Sequence, residues 1–268
     1  FIGTYPITPA TDILYELTKH KWSGIKVFQA EDEIAGICSA IGASFAGDVA
    51  ITTTSGPGMA LKTEALGLAV MAELPLVIVN VQRGGPSTGL PTKTEQSDLL
   101  QALCGRNGES PLVVLSVSTP ADCFDWAFEA TRIAIEHMTP VILLSESYIG
   151  NGAEPWKIKT TEELLDIKPE LVNGGKENWE PYKRDVEKLV RKWVVPGTQG
   201  MQHRIGGLEK QDGSGNVSYS PENHKKMIEI RKNKIDRVAD FIPLQRVRGK
   251  EATKLLVVGW GGQFGILY

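Results

Sequence analysis

Val49-Ala50-Ile51-Thr52-Thr53-Thr54-Ser55-Gly56-Pro57-Gly58 joins a short β-branched apolar run to a loop of hydroxyls and glycines. A run this short and continuous suits a strand buried on both faces, and small residues at its end suit a turn into a helix. Moving outward, the same succession repeats. Residues 25–29, 76–81, 112–117 and 141–144 read as further buried strands beside 49–53. Between them Ile34, Ile37, Cys38, Ile41 and Phe45 recur at helical spacing. Thr119-Pro120-Ala121-Asp122 offers an N-cap, a first-turn proline and an acidic third position. The alternation predicts an α/β fold, a doubly wound, mainly parallel sheet over residues 1–150.

Composition bounds the rest. Hydrophobic residues are 41% and charged residues 23% of 268, enough apolar surface to offset chain entropy, which excludes chain-wide disorder. The 29 Lys and Arg against 32 Asp and Glu leave a net charge of −3, so no general attraction to phosphate backbones and no nucleic-acid partner is expected. Cys38, Cys104 and Cys123 lack paired spacing, which argues against a disulfide framework, a zinc ribbon or a cluster held by this chain alone, and fits a reducing cytoplasm. No apolar run reaches the ~20 residues that cross a bilayer, and no charged-then-apolar leader precedes Phe1. The expectation is a soluble, cytoplasmic chain with no membrane partner, its true start left open.

Beyond 150 the texture changes. Pro155, Trp156, Asn173-Gly174-Gly175, Pro181, Pro196-Gly197 and Gly206-Gly207 punctuate a polar stretch, predicting a long irregular excursion over 151–250. Ser220-Pro221-Glu222 resembles a helix start, with the helix expected over 221–240. Residues 255–258 read as a strand opening a second α/β domain over 251–268. The glycines that follow miss a dinucleotide fingerprint because Phe264 stands where glycine is required, and no Gly-x-Ser-x-Gly elbow or Walker loop occurs. His20, His137, His203 and His224 have no ligand-like spacing, so no metal ligand is assigned. The basic stretch 224–237 is interleaved with Glu229, Asp236 and isoleucines, as in a solvated helix face.

Ligands of open parallel sheets bind beyond the carboxyl ends of the strands, which directs attention to the strand-end loops. In Tyr5-Pro6-Ile7-Thr8-Pro9, Thr8 is placed to cap a helix beginning at Pro9. Gln29-Ala30-Glu31-Asp32-Glu33 sets acids at a helix start, and Glu31, at the exit of an apolar strand, is expected to be buried with a raised pKa. In Thr54-Ser55-Gly56-Pro57-Gly58 the glycines would admit a ligand close to the backbone and the hydroxyls offer uncharged donors. Arg83 roots the polar loop Gly84-Gly85-Pro86-Ser87-Thr88-Gly89-Leu90-Pro91-Thr92, where it can pair bidentately with a carboxylate.

Together these segments, in order over residues 5 to about 150, resemble the alpha subunit or region of the 2-oxoacid:ferredoxin oxidoreductases, most closely the 2-oxoglutarate branch. Pro196-Gly197-Thr198 with Gly200 and His203, and His224-Lys225-Lys226-Met227, resemble the family's later excursion. The resemblance implies a pyrimidine-binding domain for thiamine diphosphate. It implies that Glu31 is the carboxyl that activates the pyrimidine ring, and that Thr54, Ser55, Gly56, Pro57 and Gly58 contact the cofactor. Tyr5, Pro6, Ile7, Thr8, Arg83, Ser87 and Thr88 would meet the substrate, with Thr8 and Arg83 on its keto and carboxylate oxygens. In that family a 2-oxoacid is decarboxylated, coenzyme A takes the acyl group and ferredoxin takes the electrons.

Two departures limit the chain. The Gly-Asp-Gly…Asn motif for magnesium and diphosphate is missed by Gly47-Asp48-Val49 and by Gln211-Asp212-Gly213. Scattered cysteines cannot supply the thiolates of a tetranuclear (4Fe–4S) iron–sulfur cluster. Both groups are therefore expected in a partner beta subunit, with thiamine diphosphate shared between the chains. The alternatives are the same reaction on pyruvate or a branched-chain 2-oxoacid, a thiamine-dependent carboligase or decarboxylase, and a non-catalytic assembly subunit.

Overall fold

The computed structural model describes residues 1–167, 169–172, 174, 179–249 and 252–267. The turn at Asn173-Gly174-Gly175 lies largely, and the final Tyr268 wholly, outside them. The strands are β1 (Ile2–Thr4), β2 (Val27–Gln29), β3 (Ile51–Thr54), β4 (Leu76–Gln82), β5 (Val113–Ser116) and β6 (Pro140–Glu146). The helices are α1 (Thr11–Lys19), α2 (Glu33–Phe45), α3 (Gly56–Leu61), α4 (Thr63–Ala72), α5 (Leu99–Cys104), α6 (Asp122–His137), α7 (Ser147–Asn151), α8 (Pro221–Asp236) and α9 (Phe264–Leu267). Among the described residues the strands form one sheet in the order β2-β1-β3-β4-β6-β5, and every pairing in it is parallel.

The period-2 alternation of the strands sorts the core onto two faces. Leu76, Ile78, Ile142 and Leu144 turn toward Ile37 and Ile41 of α2 and Leu66 and Ala69 of α4. Val77 and Val141 turn the other way, onto Ala130, Ile133 and Ala134 of α6. Each such buried aliphatic side chain contributes about 1.5–3 kcal/mol. The caps follow their chemistry. Asp32 accepts from Ala35 N (2.7 Å), Ser220 accepts from Asn223 N (3.2 Å) ahead of Pro221, and Thr119 and Asp122 exchange hydrogen bonds before α6.

Several expectations need correction. β1 went unread because Ile2-Gly3-Thr4 is short and centred on glycine, yet a Cβ on Gly3 would lie 2.2 Å from Ser39 Oγ and 2.6 Å from Gly36 O. Glycine is what lets α2 press onto that strand. β2 is an edge strand rather than a buried one, with Phe28 46% exposed. On α2 the buried stripe is Gly36, Ile37, Ala40, Ile41 and Ser44, which leaves Ile34 and Cys38 exposed. Residues 255–258 pair with no strand among the described residues and stand exposed, because a lone apolar strand has neither a ladder nor a face to bury.

The stretch after the sheet is tied to the amino-terminal edge of the sheet by charge. Glu73 ends α4 in the left-handed region, φ 51°, a position that usually takes glycine. Its carboxylate, 5% exposed, binds Lys234 Nζ of α8 (3.0 Å) and Arg184 of the excursion. Arg191 donates to the carbonyls of Ala72 (3.0 Å) and Glu73 (3.3 Å). Trp193 donates to Ser44 O (3.2 Å), whose own hydroxyl donates to Pro75 O (2.7 Å).

Burial pushes the Glu73 carboxyl up, but the fields of Lys234, Arg184 and Arg191 outweigh it and hold the group down at about 2. A depressed folded-state pKa contributes stability that is complete above the ordinary value of 4.5 and is lost as pH falls toward 2. Glu73→Gln keeps the size and removes the charge. It should destabilise the chain at pH 7 by about 3–5 kcal/mol, the usual cost of orphaning buried partners. In urea unfolding curves, the gap between wild type and variant should narrow steadily as the pH is lowered below 4.5.

Candidate active site

With the order β2-β1-β3-β4-β6-β5, successive strands are added on opposite sides of the β1/β3 junction, so the crevice beyond those carboxyl ends is the expected ligand site. Hydroxyls lock it from below. Thr4 Oγ1 donates to Thr53 O (2.8 Å) and lies 2.9 Å from Thr53 Oγ1, all of it buried. Beyond Thr4 the chain crosses the rim as Tyr5-Pro6-Ile7-Thr8-Pro9. Thr8 does not cap a helix. A single turn intervenes, in which Ala10 N (2.8 Å), Thr11 N (3.0 Å) and the Thr11 hydroxyl (2.8 Å) all donate to Ile7 O, and α1 starts at Thr11. Pro9 has no N–H to give, so the first bonds come from the residues after it. Thr8 is left exposed, its hydroxyl free of any capping task.

Glu31 is exposed, contrary to the expectation of burial. The last ladder bond runs from Ala30 N to Thr4 O (2.8 Å), and Glu31 is the first residue past it, on the edge strand, with no neighbouring strand outside to cover it. Asp32 takes the cap of α2, which leaves the Glu31 carboxylate at the lip of the crevice without a capping role.

The glycines of the next loop also admit neighbouring side chains. A Cβ on Gly58 would sit 2.2 Å from Thr54 Oγ1 and 2.8 Å from Glu33 Cγ, and one on Gly56 would sit 2.9 and 3.0 Å from the Asp98 carboxylate oxygens. Both glycines make room for side chains of this chain. The hydroxyl of Ser55, at the N-cap of α3, makes no capping bond and is buried without a partner.

Directly after β4 Arg83 is 6% exposed, and among the described residues its Nε has no hydrogen-bond partner. It stands at the root of a loop that closes on itself through Gly84 N to Lys93 O (2.9 Å), Leu90 N to Gly84 O (2.9 Å) and Gly85 N to Glu95 Oε2 (2.6 Å). Ser87 and Thr88 lie on the exposed outer part of this loop, whereas Arg83 is buried at its base. Strand spacing places the ends of β1 and β4 about 10 Å apart, so Thr8 and Arg83 follow strand ends on one edge, flanking Thr54–Gly58.

Some participants escaped the sequence reading. Lys62 is fully buried and donates to Glu33 O (2.8 Å) behind the acidic turn; burial lowers its pKa to about 8 against the pull of Glu33 and Asp32. Its signal was spacing, since 58, 62, 65, 66 and 69 form one buried stripe. Asn80, Gln82 and Asp98 form a second buried group: Asn80 Nδ2 donates to Asp98 Oδ2 (3.0 Å) and Asp98 N donates to Gln82 Oε1 (3.0 Å). Their signal was polarity at alternate positions of an otherwise apolar strand. An orphaned buried polar atom costs about 1–3 kcal/mol; among the described residues the Ser55 hydroxyl, the Asn80 carbonyl and Arg83 Nε are such atoms at this rim, as are the Tyr182 hydroxyl, Arg184 Nε and Arg191 Nε around Glu73.

Comparison with known proteins shows the family and the fold. The family model described as pyruvate flavodoxin/ferredoxin oxidoreductase, thiamine diP-bdg, matches residues 1–220. A 2-oxoglutarate oxidoreductase subunit KorA of Mycobacterium tuberculosis is 56% identical over 98% of this chain and 40% of its own length. A 2-oxoglutarate synthase subunit KorA of Archaeoglobus fulgidus is 35% identical over 98% of this chain and 68% of its own. A solved 2-oxoglutarate:ferredoxin oxidoreductase from Magnetococcus marinus, with 2-oxoglutarate, coenzyme A and succinyl-CoA bound, superposes with a TM-score of 0.85 at 40% identity, over 92% of this chain and 43% of that one. The chain thus spans less than half the length of the M. tuberculosis and M. marinus relatives. On the strength of the match over most of its length, it belongs to the pyruvate flavodoxin/ferredoxin oxidoreductase family of thiamine-diphosphate-binding domains.

Proposed function

We propose that this chain is the pyrimidine-binding part of a 2-oxoglutarate:ferredoxin oxidoreductase, which with coenzyme A converts 2-oxoglutarate to succinyl-CoA and carbon dioxide and reduces ferredoxin. The observation that carries the reading is Arg83, a buried guanidinium with an open Nε at a strand end beside the Thr54–Gly58 loop. A guanidinium with a buried N–H left open is suited to a substrate carboxylate, which can accept from it. The names of the relatives select the oxoacid.

The residues divide the work. Glu31 hydrogen-bonds the pyrimidine ring nitrogen, and its exposure at the lip leaves it reachable by a cofactor whose other half is held elsewhere. Thr54, Ser55, Gly56, Pro57 and Gly58 wall the ring. Arg83 binds the oxoacid carboxylate, Thr8 donates to the keto oxygen, and Tyr5, Pro6, Ile7, Ser87 and Thr88 border the substrate. Thiamine diphosphate, when bound, supplies the electron sink that lets the carboxylate leave as carbon dioxide. The fit extends only to the ring end: among the described residues no cluster of His, Cys, Asp or Glu could hold a metal ion. A partner beta subunit is therefore assigned the magnesium, the diphosphate and the 4Fe–4S cluster. Residues 1–150 are assigned to the pyrimidine-binding domain, 151–250 to the excursion and linker, and 251–268 to the opening of a further α/β unit.

In the assembled enzyme, Glu31→Gln should lower 2-oxoglutarate-dependent viologen reduction at least ~100-fold with assembly intact. Proton exchange at the thiazolium carbon at near wild-type rate would remove Glu31 from its role. Arg83→Ala should raise the KM for 2-oxoglutarate roughly 10- to 100-fold, the range expected for a lost charged hydrogen bond, and unchanged affinity for every oxoacid tested would withdraw the substrate assignment. Calorimetry on the purified chain alone should show weak thiamine diphosphate binding or none, because coordination through magnesium ordinarily supplies much of the affinity for a diphosphate. Tight, magnesium-dependent binding without a partner would place the diphosphate site in this chain.

A further inference from the structure

Asp98 lies outside every sequence motif considered so far, yet it rests on Gly56 of the candidate cofactor wall and bonds Gln82, the residue before Arg83. It follows the loop that Arg83 roots and directly precedes α5. Its backbone N–H donates to Gln82 Oε1 (3.0 Å), the side chain immediately before Arg83. Its carboxylate accepts from Asn80 Nδ2 (3.0 Å) and rests over Gly56, within 2.9–3.0 Å of the place a Cβ there would occupy. Asn80 is itself fully buried, directly opposite Thr54 in the sheet register. A carboxylate is thus gripped from β4 and laid on the turn between β3 and α3.

We infer that Asp98 is a positioning residue, whose carboxylate, held by Asn80, seats the Thr54–Gly58 turn through Gly56 and so fixes where the Ser55 hydroxyl points. The inference rests on the reading of that turn as the cofactor wall. Asn80 already has one unpartnered oxygen, and removing the Asp98 carboxylate would leave the entire buried amide without a partner and open space above Gly56. The cheapest relief is for the turn to move. Burial pushes the Asp98 carboxyl up while the Asn80 bond opposes it, which agrees with a group held in place away from bulk water. Asp98 needs no contact with cofactor or substrate for this role.

The test is a double-mutant cycle in the complete enzyme with its partner chain, read as apparent affinity for thiamine diphosphate and as kcat at saturating cofactor. Asp98→Ala should weaken cofactor affinity ~10- to 100-fold, with the loss in affinity rather than in kcat. Asp98→Asn retains an oxygen for Asn80 and should recover most of it. Gly56→Ala should also weaken binding, because its methyl meets the carboxylate. Combined with Asp98→Ala, that methyl enters vacated space, and the double variant should bind clearly better than the product of the two single effects. Should Asp98→Ala fail to assemble, Asp98→Ser runs the same cycle. Wild-type affinity in Asp98→Ala, or strictly multiplicative effects, overturns the inference alone. Unchanged affinity in Gly56→Ala overturns it together with the reading of the turn as the cofactor wall.

Discussion

The Glu73 carboxylate, shut away from water between Lys234 and Arg184, is the interaction on which the second half of the chain depends. Residues after the sheet form few regular elements, so they cannot bury a core of their own and must borrow one. Glu73 supplies the attachment at the amino-terminal edge, α8 and the excursion bring the cations, and Tyr182 lies beneath Arg184, Arg191 and Lys210. The left-handed backbone at Glu73 shows what this attachment outweighs. Glycine would relieve the conformation, but glycine carries no charge to hold Lys234.

Anchoring the excursion on that edge leaves the opposite edge for chemistry. Parallel strands put all their carboxyl ends on one side, and there the sheet carries Thr4, Thr54, Asn80, Gln82 and Arg83 rather than the aliphatic residues of its middle. Those polar groups are buried, and among the described residues the Asn80 carbonyl oxygen and Arg83 Nε have no hydrogen-bond partner. The edge away from the site gathers charge that holds the chain together.

The exposure of Glu31 and the burial of Arg83 belong to the same arrangement. An acid on an edge strand and a cation at a central strand end straddle the crevice. Phe28 and Ile34, on the edge strand and the helix after it, are exposed.

From the amino acids alone, the α/β class, the caps at Ser220-Pro221 and Thr119 and the turns at the strand ends were legible. Each of these depends on local chemistry: apolar period, capping side chains, and proline or glycine at a turn. β1, the exposed edge β2, the reason for Gly56 and Gly58, and the partnerships of Glu73, Lys62 and Asp98 were not. They are contacts between residues far apart in the chain, such as Asp98 over Gly56 or Lys234 on Glu73. Local pattern shows that a position will be a turn or a strand. Only the packed fold decides which distant side chain fills the space a glycine leaves, or which cations gather around a buried carboxylate.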